Sequence, residues 1–388
     1  MWQFLSTANG QTIAQDEAPG LQRTISFLRE KFWITGQFIH TDEAGPDWAI
    51  QRKVGLGNLM DKSPACLGIV KSLYYVTAQT SHLVSREYVL DEEGQPRRDF
   101  FVLAHTNATH SANTYFLTAE MIADDFELVE GDKFNLPGPA VLDDNYLVSS
   151  KEQVLAKMEY ALVEADFVKN RLFFSWRIPH WTTALPDDGF VKDKVIKQMA
   201  RGWTSSKLVE LKKTFGKRGG MGQWFTRKLL KERFWIPELS FPLHDAIYDF
   251  VIERKITPQN LLNEEPPILG IVKCWFFNSA DDGYSIPRTS VIDEDNEPRK
   301  DFFFILHTEI HRVRKIHFLP ARIIAENFET TVLDGVELFM LPASAFLTGD
   351  RYLVSSVDHM LAKMEYQLAE TDFVKNRLFF AGTLTSNN

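Results

Sequence analysis

Six residues of this chain form two sets with one spacing. Glu30, Asp47 and Lys71 recur as Glu232, Asp249 and Lys273, each pair 202 positions apart. Both lysines stand inside apolar runs, LGIVKSL and LGIVKCW, where an ammonium is costly to bury without a partner. An aspartate opens the run before each, in PDWAIQRK and YDFVIERK. Strand alternation puts Asp249, Val251 and Glu253 on one face and Phe250 and Ile252 on the other. One face can then carry charge while the other packs. Carboxylates on adjacent strands beside an ammonium can hold a hard divalent cation. A second recurring group, His105-Thr106 and His307-Thr308, ends another pair of runs. No further histidine recurs with it, since His110 matches Arg312 and His317 matches Tyr115. The reading favoured there is a hydrogen-bonded histidine at a strand end.

The elements that must position these residues follow from periodicity. Residues 21–33 have helical spacing, and 48–54, 67–76, 99–105 and 114–117 read as strands. Thr118 is a candidate N-cap for TAEMIADDF, with Glu120 in the first turn. Residues 151–173 read as one long helix capped by Ser149 or Ser150, with Val154, Leu155, Met158, Leu162, Phe167 and Leu172 as its core stripe. Lys169 and Arg171, near its end, are expected to complement the helix dipole. Each module is therefore expected to be an α/β sandwich: a helix, a mixed sheet of four or five strands, and covering helices.

The module occurs twice. KMEYALVEADFVKNRLFF at 157–174 and KMEYQLAETDFVKNRLFF at 363–380 agree at fifteen of eighteen positions. REKFWI, LGIVK and RRDFF in the first copy match KERFWI, LGIVK and RKDFF in the second at the offset of 202. The offset drifts to 206 between Phe126 and Tyr146, which places four extra residues near the loop around Pro137 and Pro342. The expected organisation is a first module at 1–176, a basic and partly helical linker at 177–222, and a second module at 223–388. Two fused copies imitate a homodimer within one chain.

With 44% hydrophobic and 13% aromatic residues, the chain can bury a core in each module. Cys66 matches Ile268 and Cys274 matches Ser72, so a shared disulfide or cysteine metal site is not expected. The first residues lack a basic start with an apolar run, and no stretch nears the roughly 18 apolar residues of a membrane span. A reducing cytoplasm is the expected compartment. The net charge of -9 hides an asymmetry: residues 192–233 carry 13 Lys or Arg against three acids, a balance of +10, leaving -19 elsewhere. A basic strip on an acidic body suits selective contact with a polyanion. Lys207, Lys212, Lys213, Lys217 and Arg218 are its candidate phosphate contacts, with Trp203 and Phe215 interleaved. The other reading of the strip is a solvated connector. Phosphate-loop, dinucleotide-binding, zinc-protease and paired CxxC motifs are absent.

The order of helix, strand-opening aspartate and lysine within the next strand resembles the restriction-endonuclease-like superfamily, the PD-(D/E)xK nucleases. The FFVLAHT run and the steps YFLTAEMI and HFLPARII make it most similar to a branch found in bacterial antiviral defence proteins. The resemblance implies a nuclease-like fold in each copy and Mg2+-dependent phosphodiester hydrolysis of DNA or RNA. Asp249, Glu253 and Asp47 would be metal ligands, Lys273 and Lys71 would activate water and steady charge, and Glu232 and Glu30 would assist. The family carries an acidic residue, or glutamine, two places before the lysine; Ile69 and Ile271 stand there. Glu253 is the carboxylate placed to substitute in the second copy, and Gln51 holds its position in the first, so surviving activity is expected in the second. Each residue also has a structural reading: aspartates that open strands, lysines that guard sheet edges, and glutamates paired on a helix surface. The rival functions are a non-catalytic module that binds a protein partner or scaffolds an assembly, and a nucleic-acid binder that has lost its chemistry.

Overall fold

The computed structural model describes residues 18–38, 44–55, 58–77, 79–109, 111–176, 181–182, 218–237, 249–256, 260, 266–277, 283–310, 313–347 and 352–385. Lys207, Lys212, Lys213 and Lys217, with the helices expected around them, lie outside these residues; Arg218 opens a helix.

The first unit comprises residues 1–53, 63–187 and 256–264. In chain order it holds α1 (Ala18–Leu28), β1 (Phe32–Phe38), β2 (Trp48–Arg52), β3 (Leu67–Tyr75), β4 (Ser81–Ser85), β5 (Phe100–Thr109) and β6 (Ser111–Thr118). Then come α2 (Ala119–Asp125), β7 (Leu128–Val129), β8 (Lys133–Pro137), α3 (Lys151–Glu164), α4 (Phe167–Trp176) and β9 (Trp181–Thr182). The main sheet runs β6-β5-β3-β2-β1-β9, with β3 and β5 parallel and the other neighbours antiparallel. β4, β8 and β7 make a small antiparallel sheet. A strand covered on both faces reads as a continuous apolar run, and LGIV of β3 does. Leu67, Ile69 and Val102 pack on one face with Ile122 and Leu136, while Val70, Phe101 and Leu103 pack on the other with Leu28, Leu155 and Met158.

The second unit comprises residues 54–62, 188–255 and 265–388. Its elements are α5 (Arg218–Leu230), β10 (Phe234–Trp235), β11 (Phe250–Arg254), β12 (Leu269–Phe277), β13 (Gly283–Pro287), β14 (Phe302–Ile310), β15 (Val313–Pro320) and α6 (Ala321–Asn327). β16 (Thr330–Leu333), β17 (Val336–Pro342), α7 (Val357–Ala369) and α8 (Phe373–Thr385) complete it. The main sheet runs β10-β11-β12-β14-β15 with β12 and β14 parallel, and the small one β13-β17-β16. Both units are mixed α/β assemblies with a similar main sheet, as the repeat implied.

Each unit therefore takes in nine residues of the other repeat, where contiguous modules were expected. In the second unit Val54 and Leu59 are buried in the core that contains Ile271 and Phe302, and Val54 N–H donates to Glu253 Oε2 at 3.2 Å. In the first unit Ile256 joins the core of Leu67 and Ile69, and its N–H donates to Gln51 Oε1 at 3.1 Å. Gln51 and Glu253 occupy equivalent places, are fully buried, and each holds the first residues of an exchanged segment.

Several local expectations change. α1 ends at Leu28, and Phe32 and Trp33 enter β1, whose β-branched and aromatic residues prefer the pleated surface. Ser150 caps α3 by accepting Gln153 N–H, and Thr118 caps α2 by accepting Met121 N–H, as the sequence indicated. The long helix, however, is two. Asp166 accepts Lys169 N–H at 2.9 Å and starts α4. The break turns Asn170 inward, where its amide donates to Leu67 O and Asp99 and accepts Leu67 N–H; Asn376 repeats all three bonds around Leu269 and Asp301. Lys169 thus lies in a first turn rather than a last one and pairs with Asp91 and Glu93, while Arg171 is buried against Ala65 O. Leu172, expected in the core, is 49% exposed. Leu128 pairs with Phe134 and Thr330 with Phe339, so three of the four extra residues lengthen the hairpin before Pro342.

Candidate functional site

In each unit the structure brings together one aspartate and one lysine of the expected set. β3 outruns β2, so Ser72 N–H lies beyond the backbone ladder; Asp47 supplies the missing acceptor with its Oδ2, at 2.6 Å. Its own N–H donates to Val70 O at 2.9 Å. Asp249 does the same on β12, accepting Cys274 N–H at 2.7 Å and donating to Val272 O at 3.0 Å. The other carboxylate oxygen faces the lysine: Asp47 Oδ1 is 3.6 Å from Lys71 Nζ, and Asp249 Oδ1 is 3.5 Å from Lys273 Nζ. Both lysines are buried on central strands flanked by neighbours on each side. The edge-guard reading is thereby removed, and the pairing meets the cost of burying the ammonium.

The remaining members stay apart. Glu253 pairs across the sheet with Leu269, whereas Asp249 adjoins Val272 and Cys274. Four residues of strand separate the two carboxylates by roughly 13 Å. Glu253 is engaged by Val54 N–H, so it does not complete a site with Asp249 and Lys273. Glu30 and Glu232 lie on exposed turns after α1 and α5, at the far end of β2 and β11 from the aspartates. Glu30 pairs with Lys151 at 3.2 Å. Ile69 and Ile271, at the position of the family's second ligand, are fully buried in apolar cores. Among the described residues no three His, Cys, Asp or Glu side chains gather as a metal site. One aspartate whose oxygens already meet an N–H and an ammonium does not fit Mg2+, which is held by carboxylates with several waters in octahedral array.

The surroundings of the two pairs differ. In the second unit Gln223 Nε2 donates to Asp249 Oδ1 at 2.7 Å, and Tyr284 stands against Trp275 with ring centroids 4.5 Å apart. Tyr284 is also 5.9 Å, ring centroid to Nζ, from Lys273. Burial pushes the Tyr284 phenol well above its ordinary value. In the first unit Leu21 replaces Gln223 and His82 replaces Tyr284, and a cavity of about 200 Å³ opens beside Asp47 and Lys71. The Asp47 side chain is 21% exposed against 8% for Asp249. Burial raises the Asp47 carboxyl above its usual value, opposed by the Lys71 ammonium and the Ser72 N–H. The more accessible pair is thus in the first copy.

Behind each pair lies a hydroxyl and histidine network. His105 and His307 are hydrogen-bonded as expected, but they sit inside β5 and β14 rather than at strand ends, and their threonine partners were not identified from the sequence. Thr24 Oγ1 meets Ser72 Oγ at 2.8 Å and His105 Nε2 at 2.7 Å, and His105 Nδ1 meets Thr114 Oγ1 at 3.1 Å. Thr226 and His307 repeat the central contact at 2.8 Å. The repeat register was the available signal, because Thr24 and Thr226 hold the same offset as the lysines. Burial lowers His105 to about 4, so the folded chain keeps it neutral while the unfolded chain protonates near 6.5. Its contribution is present above pH 6.5 and is lost as pH falls towards 4, amounting to about 3 kcal/mol. Urea unfolding between pH 7 and 4 is expected to show this acid slope reduced in His105→Asn. An identical slope in the variant would contradict a neutral His105.

Among the described residues no helix is long and apolar enough to cross a membrane. No protein-family model, no curated protein and no solved structure matches the chain.

Proposed function

We propose that this chain engages nucleic acid through two nuclease-like modules that have lost metal-dependent cleavage. The observation that carries the loss of chemistry is the burial of Ile69 and Ile271 in apolar cores where a second ligand would stand, with Glu253 held by Val54 N–H instead. The Asp47–Lys71 and Asp249–Lys273 pairs then organise the ends of β3 and β12 rather than hold a cation. The nucleic-acid part of the reading is supported by the balance of +10 over residues 192–233 on an otherwise acidic chain. The sequence resemblance to the defence-associated branch supports a role in bacterial defence, alongside protein partners of an assembly.

The test uses single- and double-stranded DNA and RNA with Mg2+ or Mn2+. Binding is expected to weaken with salt, and no cleavage is expected. Joint replacement of Lys212, Lys213, Lys217 and Arg218 by Gln should lower affinity by ~10-fold or more. Cleavage abolished by Lys71→Ala or Lys273→Ala would overturn the loss of chemistry. Failure to bind any of the four nucleic acids, with the fold intact, would turn the reading to a protein-interaction module.

A further inference from the structure

The second unit supplies an internal comparison for the first. At Asp249 the carboxylate oxygen that faces the lysine also receives a carboxamide N–H from Gln223, on the first turns of α5. At Asp47 the equivalent residue of α1 is Leu21, which has no donor to offer, and the space is a cavity lined by Asp47, Lys71, Ser72, Tyr74, Ser81 and His82. The second unit also sets Tyr284 against Trp275, whereas in the first His82 stands edge-on to Tyr75 with ring centroids 4.7 Å apart. The protein thus contains, in its own second copy, a group of the kind that suits the first copy's aspartate.

That group is a planar amide edge, an N–H donor next to a carbonyl acceptor. The cavity offers the complementary pair: Asp47 Oδ1 as acceptor and the Lys71 ammonium, 3.6 Å from it, as donor. Nucleobase edges carry the same adjacent donor and acceptor, and proteins read unstacked bases on those edges. At about 200 Å³ the cavity falls below the roughly 300 Å³ at which drug-sized pockets begin, so it suits one small ring.

We propose that the first-repeat cavity is a binding site for a single unstacked cytosine base of single-stranded nucleic acid, held by its amino donor on Asp47 and its ring acceptor on Lys71. The choice of a base as the occupant rests on the nucleic-acid reading above. In the second repeat Gln223 already takes that place on the aspartate.

Cytidine titrated into the full chain, followed by ligand-observed NMR, is expected to bind. Leu21→Gln, which copies the second repeat's own plug, should weaken cytidine by ~10-fold or more, the loss expected when a hydrogen bond to a charged group is pre-empted. Asp47→Asn should do likewise, and Gln223→Leu should leave the first site intact. Thermal unfolding of each variant confirms that it is folded. Absence of cytidine binding, or binding indifferent to both Leu21→Gln and Asp47→Asn, overturns the site. Nicotinamide, a primary amide without a nucleobase, binding as well as cytidine overturns the assignment to a base. An oligo-dC that binds the chain equally with and without Leu21→Gln overturns the cavity's role and leaves nucleic-acid engagement standing. Cytidine binding without any oligonucleotide binding supports the cavity and overturns the proposed function.

Discussion

Expressed alone, residues 1–187 and residues 188–388 should each fail to yield a folded monomer, whereas the two expressed together should co-purify as a 1:1 pair. The reason is the membership of the units. The first half holds Val54 and Leu59, which belong to the second unit's core, and the second half holds Ile256, which belongs to the first's. Removing a single large aliphatic side chain from a core costs about 2–5 kcal/mol. Losing Val54, Leu59 and the Val54 N–H on buried Glu253 together approaches the whole stability of an ordinary domain, about 5–15 kcal/mol. Gln51 in the first half, itself fully buried, likewise loses the Ile256 N–H. The escape open to an isolated half is to exchange its segment with another copy of itself. Light scattering after size exclusion separates these outcomes, and a cooperatively unfolding monomer from either half would refute the exchange.

Lys273→Met should destabilise the second unit by about 3 kcal/mol, and Lys71→Met should cost the first unit less. Removing one partner from a buried ion pair leaves a charge without compensation, at about 3–5 kcal/mol. Asp249 is the more buried aspartate, 8% exposed against 21%, so its stranded carboxylate has less access to water. The Cys274 N–H and Gln223 amide still reach it and keep the loss near the lower end. Adding Asp249→Asn to Lys273→Met should recover part of the stability, because the pair is then replaced by neutral groups of similar size. Denaturant unfolding of these three variants beside the parent decides the matter. A Lys273→Met protein within about 0.5 kcal/mol of the parent would show that the pair is not a structural unit.

These outcomes bear on how far the chain could be read before its structure. The repeat, the central strands and the Thr118 and Ser150 caps were legible because they rest on local patterns: identity, apolar runs and a hydroxyl before a helix. The break between α3 and α4 was not, because apolar residues keep helical spacing across it and neither Gly nor Pro marks it. Asp166, three residues before Lys169, was the available cue, and its weight depended on Asn170 facing Leu67 and Asp99. Nor could the destiny of Glu253 be read from its strand. Alternation correctly put it on the face of Asp249, but only the exchanged segment explains why that face is dry there. Gln223 and Leu21 were hidden for a different reason. Each is unremarkable alone, and they gain meaning only when the Asp249 and Asp47 environments are laid side by side.

The longer hairpin of the second unit has a practical consequence. β16 and β17 meet at a two-residue turn, Asp334-Gly335, with both residues in the left-handed region at φ 50 and 81. Val332, Leu333 and Val336 around it are exposed, and the core anchors Phe339 and Leu341 sit nearer the other end. The copies therefore differ in the length of one arm and not in the positions that hold the sheet. That tip is a natural port for an inserted epitope or fluorophore, one that marks the second copy alone although the two repeats share so much sequence.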